Sequence, residues 1–165
     1  MSIKLIITDI DGVWTDGGMF YSESGEEFKK FNTSDSVGVL LARQADIKLY
    51  IISGENSKAV VNRAAKLKID NCYVGIKNKV ELVETILAKE GVKYNEVAFI
   101  GDEINDIKLL QKVGFSACPQ SAPSYTKKIV HAVIPTDGGK GAFRDFVIEV
   151  LNRENKLTDV FNAVC

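Results

Sequence analysis

Length, composition and charge are those of an ordinary globular protein and exclude several classes of function. With 165 residues, 45% of them hydrophobic, residues 1–165 are expected to form one domain with a full core. The formal net charge is −1 and no basic block occurs, which argues against nucleic-acid partners and anionic membranes. No apolar run is long enough for a signal peptide or a membrane span, and the cysteines at 72, 118 and 165 lack CxxC spacing, so we expect a cytoplasmic protein.

The first predicted element is a strand that ends in two carboxylates. The apolar run at 3–7 is typical of a strand buried on both faces, and Asp9 and Asp11 follow it, separated by Ile10. Ligands of open α/β sheets bind outside the carboxyl ends of such strands. Two carboxylates held this close repel each other unless a cation joins them or one is protonated. On its own, the segment equally fits a strand that ends in a polar turn.

Residues 17–31 are predicted to form a β-hairpin, inserted just after the first strand and beside the acidic pair. Its limbs are expected at 19–21 and 28–31. Aromatic side chains on these limbs would be a liability if they faced water on a monomer. They are Phe20, Tyr21, Phe28 and Phe31. A partner subunit can cover them, so we expect a homo-oligomer.

The rest of the chain alternates predicted helices and strands. Strands are expected at 47–52, 72–74, 96–100, 115–118 and 129–134. Helices are expected from Ser34-Asp35 through Leu41, at about 57–67, from Asn78 to Gly91, through 109–110, near 122–128 and at 142–152, followed by a polar tail at 153–165. This alternation predicts an α/β fold with a doubly wound, mostly parallel sheet.

Polar residues with complementary chemistry follow several of these strands. They are Asp9 and Asp11, Ser53, Lys79, and Asp102 with Asp106. One carboxylate can attack phosphorus to form an acyl-phosphate, and a second can protonate the leaving oxygen and later deprotonate water. Mg²⁺ prefers carboxylate, carbonyl and water oxygens, so Asp9 and Asp102 with a backbone carbonyl fit a Mg²⁺ site. Lys79, Ser53 and nearby backbone N–H groups can hold phosphoryl oxygens. The set therefore favours phosphoryl transfer.

In their order along the chain, these motifs resemble those of the haloacid dehalogenase-like phosphohydrolases. That family's pattern is DxD after the first strand, Ser or Thr after the second, a later Lys, and a paired acidic motif. This chain matches the pattern at 9–13, 52–54, Lys79 and 101–106, so the resemblance covers nearly the whole chain.

The resemblance implies a role for each matching residue. Asp9 is implied as the nucleophile and Asp11 as the general acid/base. Asp102 is implied to bind Mg²⁺ together with Asp9 and the backbone carbonyl of Asp11. The implied phosphate ligands are Ser53, Gly54 and Lys79, with Asn105 and Asp106 in supporting positions.

The spacing of the first motif and the next helix leaves room only for the hairpin, not for a cap domain. The chain is therefore similar to the capless branch of the family, which includes phosphatases of 3-deoxy-octulosonate (KDO) 8-phosphate and of 2-keto-3-deoxy-nonulosonate (KDN) 9-phosphate. Two further stretches, 25–32 and 138–144, agree with that branch. Because four subunits of that branch assemble through their hairpins, the resemblance implies a homotetramer that acts on a sugar-acid phosphate.

Near the site, the chain departs from the octulosonate enzymes. Those enzymes read T-G-R and R-D-G-Y-G where this chain has Ser53-Gly54-Glu55 and residues 34–38. Glu55 suits a polyol tail, and the resemblance places Arg63 and Lys66 at the sugar-acid carboxylate, although both also fit solvated helix positions. The residues expected at the rim are Glu55, Arg63, Lys66, Lys140 and Arg144, from this chain or a neighbouring subunit. These features favour nonulosonate 9-phosphate as the substrate, with octulosonate 8-phosphate as the alternative.

A response-regulator receiver domain is the main alternative from another class. It also pairs acidic residues with Mg²⁺ in a doubly wound domain, but its phospho-accepting Asp follows a middle strand, where this chain has Ser53. A non-catalytic binding module is a second alternative, and the intact pair of Asp9 and Asp11 argues against it. A dinucleotide-binding domain is excluded because no Gly-rich turn follows the first strand.

Overall fold

Strands and helices alternate along most of the chain in the computed structural model, which describes residues 2–165. The strands are β1 (Leu5–Thr8), β2 (Phe20–Tyr21), β3 (Glu27–Phe28), β4 (Lys48–Ile52), β5 (Cys72–Tyr73), β6 (Val97–Ile100), β7 (Phe115–Pro119) and β8 (Ala132–Ile134). The helices are α1 (Asp35–Gln44), α2 (Lys58–Lys66), α3 (Lys79–Glu90), α4 (Ile107–Leu110), α5 (Ser124–Lys127), α6 (Ala142–Arg153) and α7 (Leu157–Val164). The predicted strand at 129–134 is shorter than expected, because its pairing with β7 begins at Ala132.

A parallel sheet with the strand order β5-β4-β1-β6-β7-β8 confirms the doubly wound prediction. β1 lies inside it, and Leu5 pairs with Lys48 of β4 on one side and with Val97 of β6 on the other. The chain runs outward from β1 through β4 to β5 and then returns to β6 on the opposite side of β1. The strand order therefore reverses beside β1, and ligands of such sheets bind at the carboxyl ends of the strands at this switch point.

Apolar layers cover both faces of the sheet. Leu5 and Ile7 of β1 belong to the layer packed against α3 and α4, whereas Ile6 belongs to the layer packed against α1, α2 and α6. All three side chains are fully buried, and each such burial contributes about 1.5–3 kcal/mol. Burial on both faces explains why β1 has a continuous apolar run instead of an alternating pattern.

The predicted hairpin is present as a separate two-stranded antiparallel sheet, in which Phe20 of β2 pairs with Phe28 of β3. The side chains of Phe20, Tyr21 and Phe28 are 56–62% exposed, as expected. The expectation for Phe31 is wrong, because the chain turns back after β3 and Phe31 packs half-buried against the core. The Arg63 guanidinium lies 5.9 Å from the centre of the Phe31 ring.

The polar tail expected at 153–165 contains a helix, α7, which the sequence analysis did not predict. Its apolar residues recur at helical spacing, with Val160 buried and Leu157 and Val164 packed against the same core layer as α1. The short segment needed this tertiary contact, since isolated helices of this length are marginal in water.

Taking the described residues together, no helix has the length and apolar character required to cross a membrane.

Candidate active site

A cleft of about 200 Å³ opens at the carboxyl ends of β1, β4 and β6, where the fold places the switch point. It is lined by Asp9, Asp11, Gly12, Gly17, Gly54, Glu55, Asp102, Glu103 and Asn105. The loops after three separate strands thus bring the predicted acidic residues together at one edge of the sheet.

Asp9 is buried at the end of β1 and lies between a backbone donor and a lysine. The N–H of Ile10 donates to Asp9 Oδ1 at 2.8 Å, and Lys79 Nζ lies 3.0 Å from Asp9 Oδ2. Burial, followed by the negative charge of Asp106, raises the pKa of Asp9 well above its ordinary value, and Lys79 opposes that shift. A carboxylate in this setting needs the lysine or a metal cation to stay ionised.

Lys79 occupies the first position of α3, where the side chain of Asn78 accepts a hydrogen bond from the Glu81 N–H at 3.4 Å and caps the helix as predicted. The Lys79 side chain is buried and reaches Asp106 Oδ1 at 2.6 Å as well as Asp9. Burial opposes its charge, but the carboxylates of Asp9 and Asp106 outweigh that cost and raise the pKa of Lys79. Lys79 is therefore a fixed cation at the base of the cleft.

Asp102 and Asp106 come from the loop after β6 and differ in their hydrogen bonding. Asp106 Oδ2 accepts from the N–H of Asp102 at 3.1 Å, and its other oxygen binds Lys79, so both of its oxygens are engaged. Asp102 Oδ1 is buried and has no hydrogen-bond partner among residues 2–165. Burial, then the charges of Asp106 and Glu103, raise the pKa of Asp102 to about 7. The positive charge of Lys79 opposes that rise only in part, and no ion pair to Asp102 occurs among residues 2–165.

The carboxylate oxygens of Asp9, Asp102 and Asp106 lie within 4.8 Å of one another, and this arrangement fits the predicted Mg²⁺. The unpaired Asp102 oxygen is the observation that carries the fit, because a buried carboxylate requires a partner. Gly12 makes the approach possible: a Cβ there would stand 1.9 Å from Asp102 Oδ2, and its φ of +78° favours glycine.

Asp11 faces a lysine that the sequence analysis did not assign to the site. Lys29, which follows β3 of the hairpin, places Nζ 2.6 Å from Asp11 Oδ1. The alternation of side chains along a strand could have indicated this contact, because it places Glu27 and Lys29 on the face opposite to Phe28. That inner face of the hairpin is directed at the acidic pair.

Ser53 and Gly54 follow β4, and Gly54 lines the same cleft. The Ser53 side chain is fully buried, yet its Oγ has no hydrogen-bond partner within the described chain. A buried hydroxyl without a partner, at the carboxyl end of the strand next to β1, is suited to a phosphoryl oxygen. A Cβ at Gly54 would lie 3.3 Å from Nδ2 of Asn105, which also lines the cleft.

Three of the residues expected at the rim lie on or near α2, namely Glu55, Arg63 and Lys66. Glu55 is exposed and lines the cleft, so the structure places it where the sequence analysis expected it. Arg63 is half-buried: its Nη2 donates to the Asn32 carbonyl at 3.3 Å, and its Nε is buried without a partner.

Lys66 is not brought to the cleft of its own chain. It lies exposed in the last turn of α2, and the carbonyls of Leu67 and Lys68 just beyond it accept hydrogen bonds from Arg43 near the end of α1. Because α1 and α2 run antiparallel to the strands, these helix ends lie at the opposite edge of the sheet from the cleft. Contact of Lys66 with substrate would require the cleft of a neighbouring subunit.

Lys140 and Arg144 lie on either side of the start of α6, near the loop that follows β1. A Cβ at Gly138 would stand 1.9 Å from the Gly12 carbonyl, so the 136–141 loop is packed directly against the cleft loop. Lys140 is exposed, and Arg144 donates from Nε to Asp145 at 2.7 Å. Neither lines the cleft itself.

An α/β domain with buried carboxylates and a lysine at the switch point of its sheet has the architecture of a phosphate-processing hydrolase. Comparison with known proteins agrees. The family described as haloacid dehalogenase-like hydrolases matches residues 33–114. The 3-deoxy-D-manno-octulosonate 8-phosphate phosphatase of Haemophilus influenzae is 36% identical over 162 residues, covering 98% of this chain and 89% of the relative.

Solved structures of similar proteins agree as well. The 3-deoxy-D-manno-octulosonate 8-phosphate phosphatase of Yersinia pestis has a TM-score of 0.91 at 33% identity, covering 94% of this chain and 84% of that one. The Moraxella catarrhalis phosphatase of the same name, solved with magnesium, phosphate and KDO, has a TM-score of 0.93 at 29% identity, covering 99% and 94%. The chain therefore belongs to the haloacid dehalogenase-like hydrolases, among phosphatases without a cap domain, and the predicted enzyme class, a phosphoric monoester hydrolase, is confirmed.

Proposed function

We propose that this chain is a Mg²⁺-dependent phosphatase of 3-deoxy-octulosonate 8-phosphate and that Asp9 carries the phosphoryl group. The observation that supports this most strongly is the set of unsatisfied groups at one cleft. A lysine bridges Asp9 and Asp106, while Ser53 Oγ and Asp102 Oδ1 are buried without partners. A phosphoryl group and a divalent cation together supply the partners that these groups lack.

In the proposed reaction, Asp9 is the nucleophile and Asp11 transfers the protons. An oxygen of Asp9 attacks phosphorus, the bond from phosphorus to the sugar oxygen breaks, and Asp11 gives that oxygen a proton. Asp11 then takes a proton from water, which attacks the phosphorus of the aspartyl-phosphate and releases inorganic phosphate from Asp9. Lys79 and Ser53 hold the non-bridging oxygens through both steps.

Asp9, Asp102 and the backbone carbonyl of Asp11 would hold Mg²⁺, with Asp106 fixing Lys79 and the β6 loop. Mg²⁺ bound there neutralises charge on the phosphoryl group and on the crowded carboxylates. We therefore expect EDTA to abolish turnover and Mg²⁺ to restore it.

The substrate proposal rests on the relatives, which are named as octulosonate 8-phosphate phosphatases at 33–36% identity over nearly the whole chain. Glu55, Arg63 and Lys66 favour nonulosonate 9-phosphate from the sequence, whereas these relatives are named as octulosonate 8-phosphate phosphatases. The octulosonate alternative is therefore the better supported of the two.

One observation keeps nonulosonate 9-phosphate as a second candidate. Glu55 lines the cleft, and a carboxylate there can accept hydrogen bonds from the hydroxyls of a longer polyol tail. A substrate tail with one more hydroxyl offers one more donor to it. If Glu55 decides the choice, Glu55→Arg should shift preference toward octulosonate 8-phosphate.

For assembly, we propose a homotetramer formed through the hairpins. It is supported by the exposure of Phe20, Tyr21 and Phe28 on a small separate sheet, because clustered exposed aromatic side chains mark interaction surfaces. Arg63 and Lys66 would reach substrate in this assembly only if the docked neighbour brought its α2 to the cleft.

The experiment that tests the proposal measures phosphate release with Mg²⁺ from both sugar-acid phosphates side by side, with p-nitrophenyl phosphate as a generic ester. We expect kcat/KM to be highest for octulosonate 8-phosphate. A higher value for nonulosonate 9-phosphate would establish the second candidate. Equal values for both acids and the generic ester would contradict sugar-acid specificity.

A further inference from the structure

The hairpin lysine Lys29 is buried in a way that its neighbour Lys30 is not. The Lys29 side chain has no exposed surface, whereas the Lys30 side chain is 65% exposed. Each lysine pairs with a carboxylate near the end of β1: Lys29 with Asp11 at 2.6 Å and Lys30 with Asp16 at 3.3 Å. Burying an ammonium group is costly unless carboxylates surround it. Buried Lys29 therefore depends on its carboxylate partners, whereas exposed Lys30 is solvated by water and its ion pair contributes little.

Lys29 is the middle of a continuous chain of contacts from the cleft to the start of α2. Its Nζ lies 3.6 Å from Glu27 Oε1, and the same oxygen accepts a hydrogen bond from Ser57 Oγ at 2.8 Å. Ser57 immediately precedes α2 and is buried. The hairpin is thereby anchored at both the cleft and the helix, with Lys29 at the cleft end.

Asp11 has few other means of holding its orientation. Within residues 2–165, the remaining side-chain contact of its carboxylate is the Thr15 hydroxyl at 3.5 Å, which is a weak hydrogen bond. The carboxylate is partly exposed at the edge of the cleft. Without Lys29, the Asp11 side chain could adopt several rotamers.

We propose that Lys29 is a positioning residue: it fixes the Asp11 carboxylate at the edge of the cleft so that Asp11 meets the leaving oxygen. The inference deepens the proposed function and rests on the role of Asp11 given there. Because Lys29 is carried by the hairpin, the orientation of the acid/base group depends on how the hairpin is seated. Lys29 does not line the cleft, so in this proposal it acts through Asp11.

A positioning role predicts a dependence on the leaving group, which a purely structural role does not. An alkyl leaving group such as a sugar needs the proton from Asp11, whereas p-nitrophenolate leaves without one. In Lys29→Met we therefore expect kcat/KM for the sugar-acid phosphate to fall about tenfold to a hundredfold, which is part of the roughly hundredfold to ten-thousandfold that general acid catalysis contributes. The value for p-nitrophenyl phosphate should change by less than about threefold, and KM for both should stay near that of the wild type.

Lys30→Met is the matched control, since it removes a lysine from the next position of the same hairpin without touching Asp11. It should leave both values of kcat/KM unchanged. If Lys29→Met fails to fold, as judged by circular dichroism, Lys29→Gln replaces it in the same comparison because it keeps a hydrogen-bond donor and most of the side-chain length.

A double-mutant cycle with Asp11→Asn decides whether Lys29 acts through Asp11. In the Asp11→Asn background, Lys29→Met should lower kcat/KM for the sugar-acid phosphate by less than about twofold. An equal loss on both esters, or an undiminished loss in the Asp11→Asn background, would overturn the proposal. A wild-type protein without phosphatase activity would instead overturn the proposed function, and the role of Lys29 with it.

Discussion

The carboxyl edge of the sheet and the hairpin beside it differ in which side chains they bury and which they expose. At the sheet edge, Asp9, Lys79 and Asp106 are buried polar groups held by one another, in a frame of apolar strands. On the hairpin, Phe20 and Phe28 are apolar groups that remain exposed on a two-residue ladder. The first region is complete apart from a cation and a phosphoryl group, whereas the second lacks a covering surface. The difference is one of side-chain chemistry: the sheet edge buries charged groups beside one another, whereas the hairpin leaves aromatic groups exposed.

The largest effect is expected at the sheet edge. Asp9→Asn should lower kcat by at least about a thousandfold, because an amide cannot carry the phosphoryl group. Turnover is measured as phosphate release with Mg²⁺, and circular dichroism serves as the control for folding. Substantial steady-state activity in this variant would contradict an aspartyl-phosphate on Asp9.

The hairpin variant Phe20→Ser/Phe28→Ser should convert the oligomer into smaller species at micromolar concentration. Each aromatic side chain that an interface buries contributes about 2 kcal/mol per subunit, which the substitution removes. Sedimentation velocity measures the change, and Val133→Ser, an exposed apolar residue of β8, is the matched control. A wild-type chain that already sediments as a monomer would contradict assembly through the hairpin.

A smaller effect is expected for Arg63→Ala and Lys66→Ala. Loss of a charged hydrogen bond to the sugar-acid carboxylate costs about 1.5–3 kcal/mol, or roughly tenfold to a hundredfold in kcat/KM. The value for p-nitrophenyl phosphate should change little. Since Lys66 is remote from its own cleft, its effect should disappear in the hairpin double variant. Equal losses on all esters would show that these residues support the fold only.

The smallest effect on activity is expected at Asp35, where α1 begins. Its Oδ1 accepts from the Arg144 N–H at 3.3 Å, its Oδ2 is buried without a partner, and burial raises its pKa to about 6. The stability that the protonated form contributes is complete below about pH 4 and is lost as the pH rises through about 6.

Asp35→Asn removes this titration while keeping an acceptor for Arg144. Between pH 4.5 and pH 7, the free energy of unfolding of the variant should increase by about 2 kcal/mol relative to that of the wild type. Urea denaturation at several pH values measures that difference. A constant difference across the range would show that Asp35 does not titrate there.

More of the residues at the sheet edge than of the contacts of the hairpin could be predicted from the sequence. Short motifs after β1, β4 and β6 identified Asp9, Ser53 and Asp102 because parallel strands deliver their carboxyl ends to the same edge. The contact of Lys29 with Asp11 was not predicted, because the two residues are 18 positions apart and the burial of Lys29 depends on how the hairpin folds back. For the same reason Phe31 was expected outside and packs inside.

By itself, the sequence determined the parallel α/β order, the acidic edge and the hairpin, because each depends on local apolar periodicity and on motifs of a few residues. Only the tertiary structure decided which groups are partners across the chain. It pairs Lys79 with Asp106, Lys29 with Asp11 and α7 with α1, and it sends Lys66 to the far edge of the sheet. The physical reason is that burial and ion pairing depend on the distance between segments that are far apart in sequence. That distance becomes short and fixed only when the sheet has formed.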